Sequence, residues 1–209
     1  MLKRLFLQRK NQKTESMALA ITAYGTKVLR KVCDEITKDY DGLDTLIDNM
    51  WETMYEAGGV GLAAPQVNKA IRLFMVDTVQ VHEGMNDEEK EDLFEEEEPV
   101  KETFINAQIV GESEEVWADN EGCLSLPDLN GEVERPWAIE IEYYDRDFKQ
   151  HKRTFTGYNA RVIQHEYDHT EGILYVDHLS GISKRLMKGK LSKIAEGKVS
   201  PRYRMRFAK

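Results

Sequence analysis

The sequence has little cysteine and no long hydrophobic segment. Its two cysteines, Cys33 and Cys123, lie in very different surroundings, which argues against a disulfide framework and favours a reducing compartment. No run approaches the roughly 20 apolar residues that span a bilayer, so we expect no membrane association. There is also no internal repeat, no alternating βα pattern and no glycine-rich phosphate-binding fingerprint. With 209 residues, the chain is long enough for one domain with its own core.

The chain has no general excess of one charge, although its formal net charge is −9. Residues 83–102 contain eleven acidic and two basic residues, which account for that whole charge and leave the remainder balanced. We therefore expect a solvated acidic insert over residues 81–102, formed by a loop or a partly disordered segment. The composition does not indicate a protein that binds basic partners over its whole surface.

The two ends of the chain differ from its middle. Residues 1–16 contain several basic residues and one acid, Glu15, which predicts a disordered N-terminal extension before a natural start at Met17. An organellar transit peptide is the alternative. The last part, residues 180–209, is a basic C-terminal region rich in lysine and arginine. We expect residues 17–209 to form a single domain that includes both this region and the acidic insert.

Hydrophobic periodicity predicts both helices and strands. The clearest helix covers residues 43–57, where apolar residues recur at helical spacing and two glycines follow. The other predicted helices cover residues 159–171 and 180–196. The predicted strands cover residues 71–77, 103–111, 114–122, 138–147 and 151–157. This order indicates an α+β fold in one domain, with antiparallel sheets packed around a central helix.

The segment QHEYDH, residues 164–169, places two histidines four residues apart. Residues at this spacing on a helix differ by about 40° in direction and one turn in height, so His165 and His169 can face one ion. Glu166 can then reach a water molecule at the ion without being a ligand. This is the H-E-x-x-H arrangement of hydrolytic metal sites, although a charged surface helix can also produce it. Apolar neighbours favour the metal site, because buried polar residues need partners.

A catalytic metal site usually has three protein ligands, so a third must come from elsewhere in the chain. His82, His151 and His178 are available, and His178 lies nine residues beyond the motif, where a compact H-E-x-x-H peptidase can place its third ligand. Cys123 is the competitor. It lies in NEGCLSLP, where the glycine and Pro127 predict a shaped loop, since proline ends a strand. Spacing alone leaves this choice open.

The segment GGVGLAAPQ, residues 58–66, follows the first predicted helix and consists mostly of small residues. One interpretation is a turn that lets helix and sheet pack closely. The other is a loop whose backbone approaches a substrate, with Gln66 offering an amide donor.

Three stretches together resemble the signature motifs of the peptide deformylase family. They are GVGLAAPQ at 59–66, EGCLS at 121–125 and QHEYDH at 164–169. They occur in the family's order and at roughly its spacing, and the resemblance extends from about residue 18 to residue 186. It implies an α+β enzyme that removes the N-formyl group from nascent chains beginning with formyl-methionine.

The resemblance also implies roles for individual residues. The metal ligands correspond to Cys123, His165 and His169, and the general acid and base corresponds to Glu166. The donors to the oxyanion that develops on the formyl group correspond to the side chain of Gln66 and the N–H of Leu124. By position, the residues expected to bind substrate beside the His165 ring are Val60, Gly61, Glu121, Gly122, Tyr158 and Val162. Arg161 interrupts the apolar wall expected there.

The family resemblance implies one divalent metal ion, with Fe(II) favoured in the cell and zinc, nickel or cobalt able to occupy the same site. The expected partners are formyl-methionyl nascent peptides, and the expected form is a monomer in the bacterial cytoplasm. The basic C-terminal region is either a solvated helix face that offsets the acidic insert or a surface that contacts the ribosome transiently, and we expect the contact. We also expect deletion of residues 187–209 to weaken ribosome association and to leave turnover of free formyl peptides nearly intact.

Two other functions stay open on the sequence. The first is an H-E-x-x-H zinc endopeptidase that uses His178 or an acid as its third ligand and does not need Cys123. The second is an RNA- or ribosome-binding module with a structural metal, in which Glu166 has no role.

Overall fold

A computed structural model describes residues 17–94 and 97–208 of the chain. The predicted N-terminal extension, residues 1–16, lies outside these described residues. Within them, no helix combines the length and the apolar character needed to cross a membrane.

Short strands and helices follow one another along the described chain. The strands are β1 (Ile21–Thr22), β2 (Gly61–Ala63), β3 (Leu73–Asp77), β4 (Lys101–Glu112), β5 (Val116–Cys123), β6 (Leu126–Pro136), β7 (Ala138–Tyr144), β8 (Gln150–Thr156) and β9 (Met205–Arg206). The α-helices are α1 (Leu43–Ala57), α2 (Val79–Gly84), α3 (Asp87–Phe94), α4 (Gly157–Thr170) and α5 (Gly181–Ala195). Shorter 3₁₀ helices cover Lys27–Arg30, Ala64–Val67 and Tyr175–Asp177.

The three predicted helices are confirmed. Helix α1 has the predicted bounds, and it ends because Gly58 adopts a left-handed conformation with φ of 71°. The N–H of Gly58 there bonds the carbonyls of Met54 and Tyr55, which satisfies the last turn. Helices α4 and α5 lie within two residues of their predicted bounds.

The main sheet has five antiparallel strands in the order β2–β3–β4–β7–β8. Helix α4 packs against β2 and β3, and its buried residues Ala160 and Ile163 join a core cluster with Phe74 and Phe104 of the sheet. Strands β5 and β6 form a separate antiparallel hairpin. The predicted α+β fold with a central helix is thus confirmed. One pair departs from the antiparallel expectation, because β1 and β9 pair in parallel.

The prediction that Pro127 ends the strand structure is wrong. Pro127 is the second residue of β6, in which Leu126 and residues 130–136 pair with β5 and Pro127 lies in the irregular stretch between them. A proline lacks a backbone N–H, but a position at the start of a strand in a two-stranded hairpin tolerates that loss. The ladder changes register between Gly122 and Cys123, so that Cys123 lies at the tip of the hairpin.

The acidic insert is not the predicted loop, because it contains α2 and α3. The N–H of Asn86 donates to Glu89 Oε2 at 2.9 Å and the N–H of Glu89 donates to Asn86 Oδ1 at 3.0 Å, a reciprocal cap that starts α3. Acidic residues in the first turn of α3 further suit the positive end of the helix. At its other end, Phe94 packs against Tyr158 of α4, with ring centroids 5.8 Å apart.

Candidate metal centre

Helix α4 and the tip of the β5–β6 hairpin bring a thiol and two imidazoles together. Potential ligand atoms of Cys123, His165 and His169 all lie within 4.8 Å of one another. Cys123 Sγ lies 3.3 Å from Nε2 of His169, and the two histidine rings have centroids 5.2 Å apart. The helical spacing of four residues therefore places both rings on the face of α4 that the hairpin tip approaches.

The orientation of His165 is set by Glu121, which lies two residues before Cys123 on β5. Nδ1 of His165 donates to Glu121 Oε2 at 2.8 Å, which leaves Nε2 for a ligand. A carboxylate that holds the second nitrogen of a metal-binding histidine fixes its tautomer and its ring plane. One strand thus supplies both a candidate ligand and the group that orients another.

Glu121 lies in a buried network of charges. Arg135 of β6 donates to both of its oxygens, with Nε–Oε1 2.5 Å and Nη2–Oε2 2.9 Å, and Arg161 Nη1 donates to Oε1 at 2.7 Å. Side chains of Glu121 and Arg135 are each only 4% exposed. Burial alone raises the pKa of Glu121, but hydrogen bonds from Arg135 and His165 outweigh it and hold the pKa well below its ordinary value. Glu121 is therefore an anion at physiological pH.

His178 does not join the other two histidines. Its Nε2 bonds Asp168 Oδ2 at 2.8 Å, and Arg135 Nη1 donates to the same oxygen at 2.9 Å. His178 therefore stands at the outer end of the charge network. The remaining candidates lie in other elements, His82 in α2 and His151 in β8. Of the alternatives that spacing left open, the structure places Cys123 beside the paired histidines.

Glu166 is buried beside a glycine that has no room for a side chain. A Cβ on Gly61 would lie 2.5 Å from Glu166 Oε1, so the carboxyl group packs directly over the β2 backbone. Burial raises the pKa of Glu166 to about 7. A carboxyl group with this pKa can take up and release a proton near neutral pH.

Gln66 points its amide at the thiol. Its Oε1 accepts the N–H of Ala63 at 2.8 Å, which fixes the orientation of the amide, and Nε2 then lies 3.5 Å from Cys123 Sγ. The segment GGVGLAAPQ contributes residues 58–61 and Gln66 to the lining of the site. Leu124, the next residue after Cys123, lines the same site.

These groups border an open cleft of about 860 Å³, within the size range of small-ligand sites. The predicted substrate-binding residues Val60, Gly61, Glu121, Gly122, Tyr158 and Val162 all line it. Glu121 differs from the others, since its carboxylate is already engaged by two arginines and a histidine. Arg161 also borders the cleft, but its guanidinium turns to Glu121 and stacks over Trp117 at 4.1 Å.

The donor set fits a single divalent ion. One thiolate and two imidazoles leave a position for water or substrate, as catalytic sites require. Burial and the neighbouring His165 lower the pKa of His169 to about 3, so its ring is in the neutral form that binds metals. In the described part of the chain, Glu166 Oε2 and His169 Nδ1 are buried polar atoms without a hydrogen-bond partner.

An α+β fold with H-E-x-x-H on its central helix and a cysteine beside it in an open cleft defines a metal-dependent hydrolase. The model of the polypeptide deformylase family matches residues 18–185. A peptide deformylase of Christiangramia forsetii is 49% identical over 193 residues, covering 91% of this chain and 96% of the relative. A second, from Flavobacterium johnsoniae, is 50% identical over 194 residues, covering 92% and 97%.

Solved structures agree with these relatives. A crystal structure of peptide deformylase from Plasmodium falciparum superposes with a TM-score of 0.73 at 33% identity, covering 85% of this chain and 95% of that one. The chain belongs to the polypeptide deformylase family. It is a metal-dependent hydrolase that removes the N-formyl group from the N-terminal methionine of newly synthesised polypeptides.

Arg135 and Asp168 are site residues that the sequence did not indicate. Arg135 lies on β6 on the same buried face as Leu129 and Val133, so it is the charged last residue of that face. Recognition of that alternation would have predicted the strand. The alternation could not predict which acidic residue pairs with Arg135, because that depends on how the two strands of the hairpin are aligned.

We expect Glu121→Gln to destabilise the protein, because it leaves two buried arginines without their shared anion. Breaking such a buried pair typically costs about 3–5 kcal/mol of unfolding free energy, and loss of the partner of a ligand histidine typically lowers metal affinity by about 10- to 100-fold. Urea unfolding and competitive metal titration measure the two effects.

Glu140→Gln is the matched control, because Glu140 pairs with Lys152 on the exposed face of the sheet at 3.0 Å. Solvent screens that pair, so the control should unfold close to wild type. Equal urea midpoints for the two variants would contradict the assignment of Glu121 as the centre of the network.

Proposed function

We propose that Cys123, His165 and His169 hold one divalent metal ion and that Glu166 is the general acid and base of deformylation. The observation that carries this proposal is the convergence of the three ligand atoms within 4.8 Å, beside a buried carboxyl group. The third ligand of the endopeptidase alternative, His178, is engaged with Asp168 instead.

We propose Fe(II) as the metal in the cell, with zinc, nickel or cobalt able to occupy the site in a preparation. Imidazole suits all four ions and thiolate adds preference for the softer ones, so the ligand set accommodates each of them. When bound at this site, such an ion supplies a Lewis acid that lowers the pKa of water and polarises the formyl oxygen.

Proton transfer falls to Glu166. Its carboxylate takes a proton from the attacking water and then passes it to the nitrogen of the departing amine, so that formate and a free amino terminus are released. The pKa of about 7 suits both halves of this exchange. Gly61 permits the close approach that holds the carboxyl group in place.

Two donors are proposed to stabilise the oxyanion that develops on the formyl oxygen. They are Nε2 of Gln66, whose orientation the N–H of Ala63 sets, and the backbone N–H of Leu124. One donor of this kind is typically worth about 2.7–4 kcal/mol of transition-state stabilisation. Both groups belong to walls of the cleft that also hold Cys123.

The methionine side chain is proposed to occupy the apolar part of the cleft. Val60, Tyr158 and Val162 supply its walls, with the backbone of Gly61 and Gly122 available to the peptide. The earlier expectation for Glu121 is revised, because a carboxylate that already accepts three partners orients His165 and is not free for a substrate.

We further propose that residues 17–209 act as one monomeric catalytic domain in the bacterial cytoplasm. Both relatives named above are bacterial and match at least 96% of their own length to this chain. None of the comparisons supports the alternative of an organellar location.

Glu166→Gln tests the chemical role most directly. We expect turnover of a formyl-Met peptide to fall by about 10²- to 10⁴-fold, since the variant keeps the shape of the side chain but cannot accept the proton. Bound metal, measured by elemental analysis, should be unchanged, and Glu140→Gln should keep wild-type turnover. Wild-type turnover in Glu166→Gln would contradict the proposed role of Glu166, and cleavage of internal peptide bonds without formate release would favour an endopeptidase.

Ribosome contact is proposed for the exposed basic face of α5. Arg185, Lys188 and Lys190 are exposed, and electrostatic contact with RNA weakens as salt rises. We expect glutamate at these three positions to reduce co-sedimentation with ribosomes at low salt while turnover of free formyl peptides stays the same. Unchanged co-sedimentation would contradict the proposal.

A further inference from the structure

The last part of the chain is not a loose basic tail. After α5, Gly197 reverses the chain in a left-handed conformation with φ of 69°, and the N–H of Lys198 donates to the carbonyl of Lys193 at 2.8 Å. The segment that follows alternates in exposure. Arginines at positions 202, 204 and 206 face solvent, whereas Tyr203, Met205 and Phe207 are half-buried.

Backbone pairing and packing fix the position of this segment. Strand β9 lies parallel to β1, where the N–H of Ile21 donates to the carbonyl of Arg204 and the N–H of Ala23 donates to that of Arg206, both at 2.8 Å. Met205 and Phe207 pack against the core cluster beneath the β5–β6 hairpin. The segment is therefore held directly after Tyr203 by backbone hydrogen bonds and by core packing.

These contacts place Tyr203 at the wall of the cleft. Its hydroxyl donates to the carbonyl of Leu124 at 2.8 Å, although the two residues are 79 positions apart in sequence. Residues 200–203 line the same cleft as Cys123 and Glu166. The family model ends its match at residue 185, so this wall lies beyond the matched residues.

We propose that Tyr203 is a positioning residue for deformylation, which holds the Leu124 carbonyl and thereby fixes the backbone between Cys123 and Ser125. This inference rests on the proposed function, in which Cys123 is a ligand and the Leu124 N–H is an oxyanion donor. It revises the expectation that the basic C-terminal region is dispensable for turnover.

The physical reason lies in the geometry of the turn at the hairpin tip. Its far side is held where the N–H of Tyr24 donates to the carbonyl of Ser125 at 2.9 Å. Between that bond and Cys123, the hydrogen bond from Tyr203 restrains the Leu124 carbonyl. An oxyanion donor works only when its direction is set before the reaction, so rotation about Leu124 lowers the rate of the chemical step more than it weakens substrate binding.

Tyr203→Phe removes the hydroxyl and keeps the ring that packs beside the hairpin. In the metal-loaded enzyme we expect kcat for a formyl-Met peptide to fall by about three- to tenfold, the effect of one lost hydrogen bond, with KM within about twofold of wild type. Hydrogen–deuterium exchange of the segment 121–126 should become faster, and the metal content should stay at the wild-type level.

Tyr143→Phe is the matched control, because its hydroxyl contacts Glu102 at 3.5 Å and neither residue borders the cleft. Its kcat and its exchange at 121–126 should equal those of wild type. The proposal is overturned if Tyr203→Phe keeps the wild-type kcat, if only KM rises, or if kcat falls while exchange at 121–126 is unchanged. Failure of the wild-type enzyme to release formate would instead overturn the proposed function. The hydrogen–deuterium exchange measurement would still test whether Tyr203 restrains the backbone at Leu124.

Discussion

The site depends on the contact between the carboxylate of Glu121 and the imidazole of His165. That contact joins the central helix to the β5–β6 hairpin, which is a sheet of its own, separate from the main five-stranded sheet. Because Glu121 precedes Cys123 by two residues on the same strand, the bond that orients one candidate ligand also locates another. Hydrogen bonds from Arg135 and His165 hold the pKa of Glu121 well below its ordinary value despite burial, so the contact persists at physiological pH.

Close backbone packing supplies the second requirement, which is a buried carboxyl group beside the candidate metal ligands. Glu166 lies over Gly61, where no larger residue fits, and burial brings its pKa near neutrality. The two glutamates therefore have opposite properties from opposite surroundings. Glu121 is an anion held by arginines, and Glu166 is a group that can exchange a proton.

Much of this arrangement could be predicted from local patterns. Helical periodicity and two glycines located α1, and the spacing of His165 and His169 placed both rings on one face of α4. The motif resemblance then identified Cys123 as their companion, which spacing had left undecided against His178. Each of these features rests on a short stretch of sequence, so a local sequence pattern can predict it.

Other features depended on contacts that no local pattern encodes. Helix α3 was not predicted, because the run of acidic residues in the insert indicated a loop more strongly than the cap from Asn86 to Glu89 indicated a helix. Strand β6 was missed because Pro127 lies within it. The bond from Tyr203 to Leu124 joins two segments that are 79 positions apart in sequence, so no local pattern could predict it.

The most direct measurement is the absorption spectrum of the cobalt(II)-loaded protein, compared between Cys123→Ser and Cys33→Ser. Cys33 is buried and lies outside the cluster of ligand atoms, so it is a matched control. A site that joins the thiolate to the two imidazoles predicts a sulfur-to-cobalt charge-transfer band that survives in Cys33→Ser and disappears in Cys123→Ser. A band of equal intensity in both variants, with one cobalt bound per chain, would contradict the account.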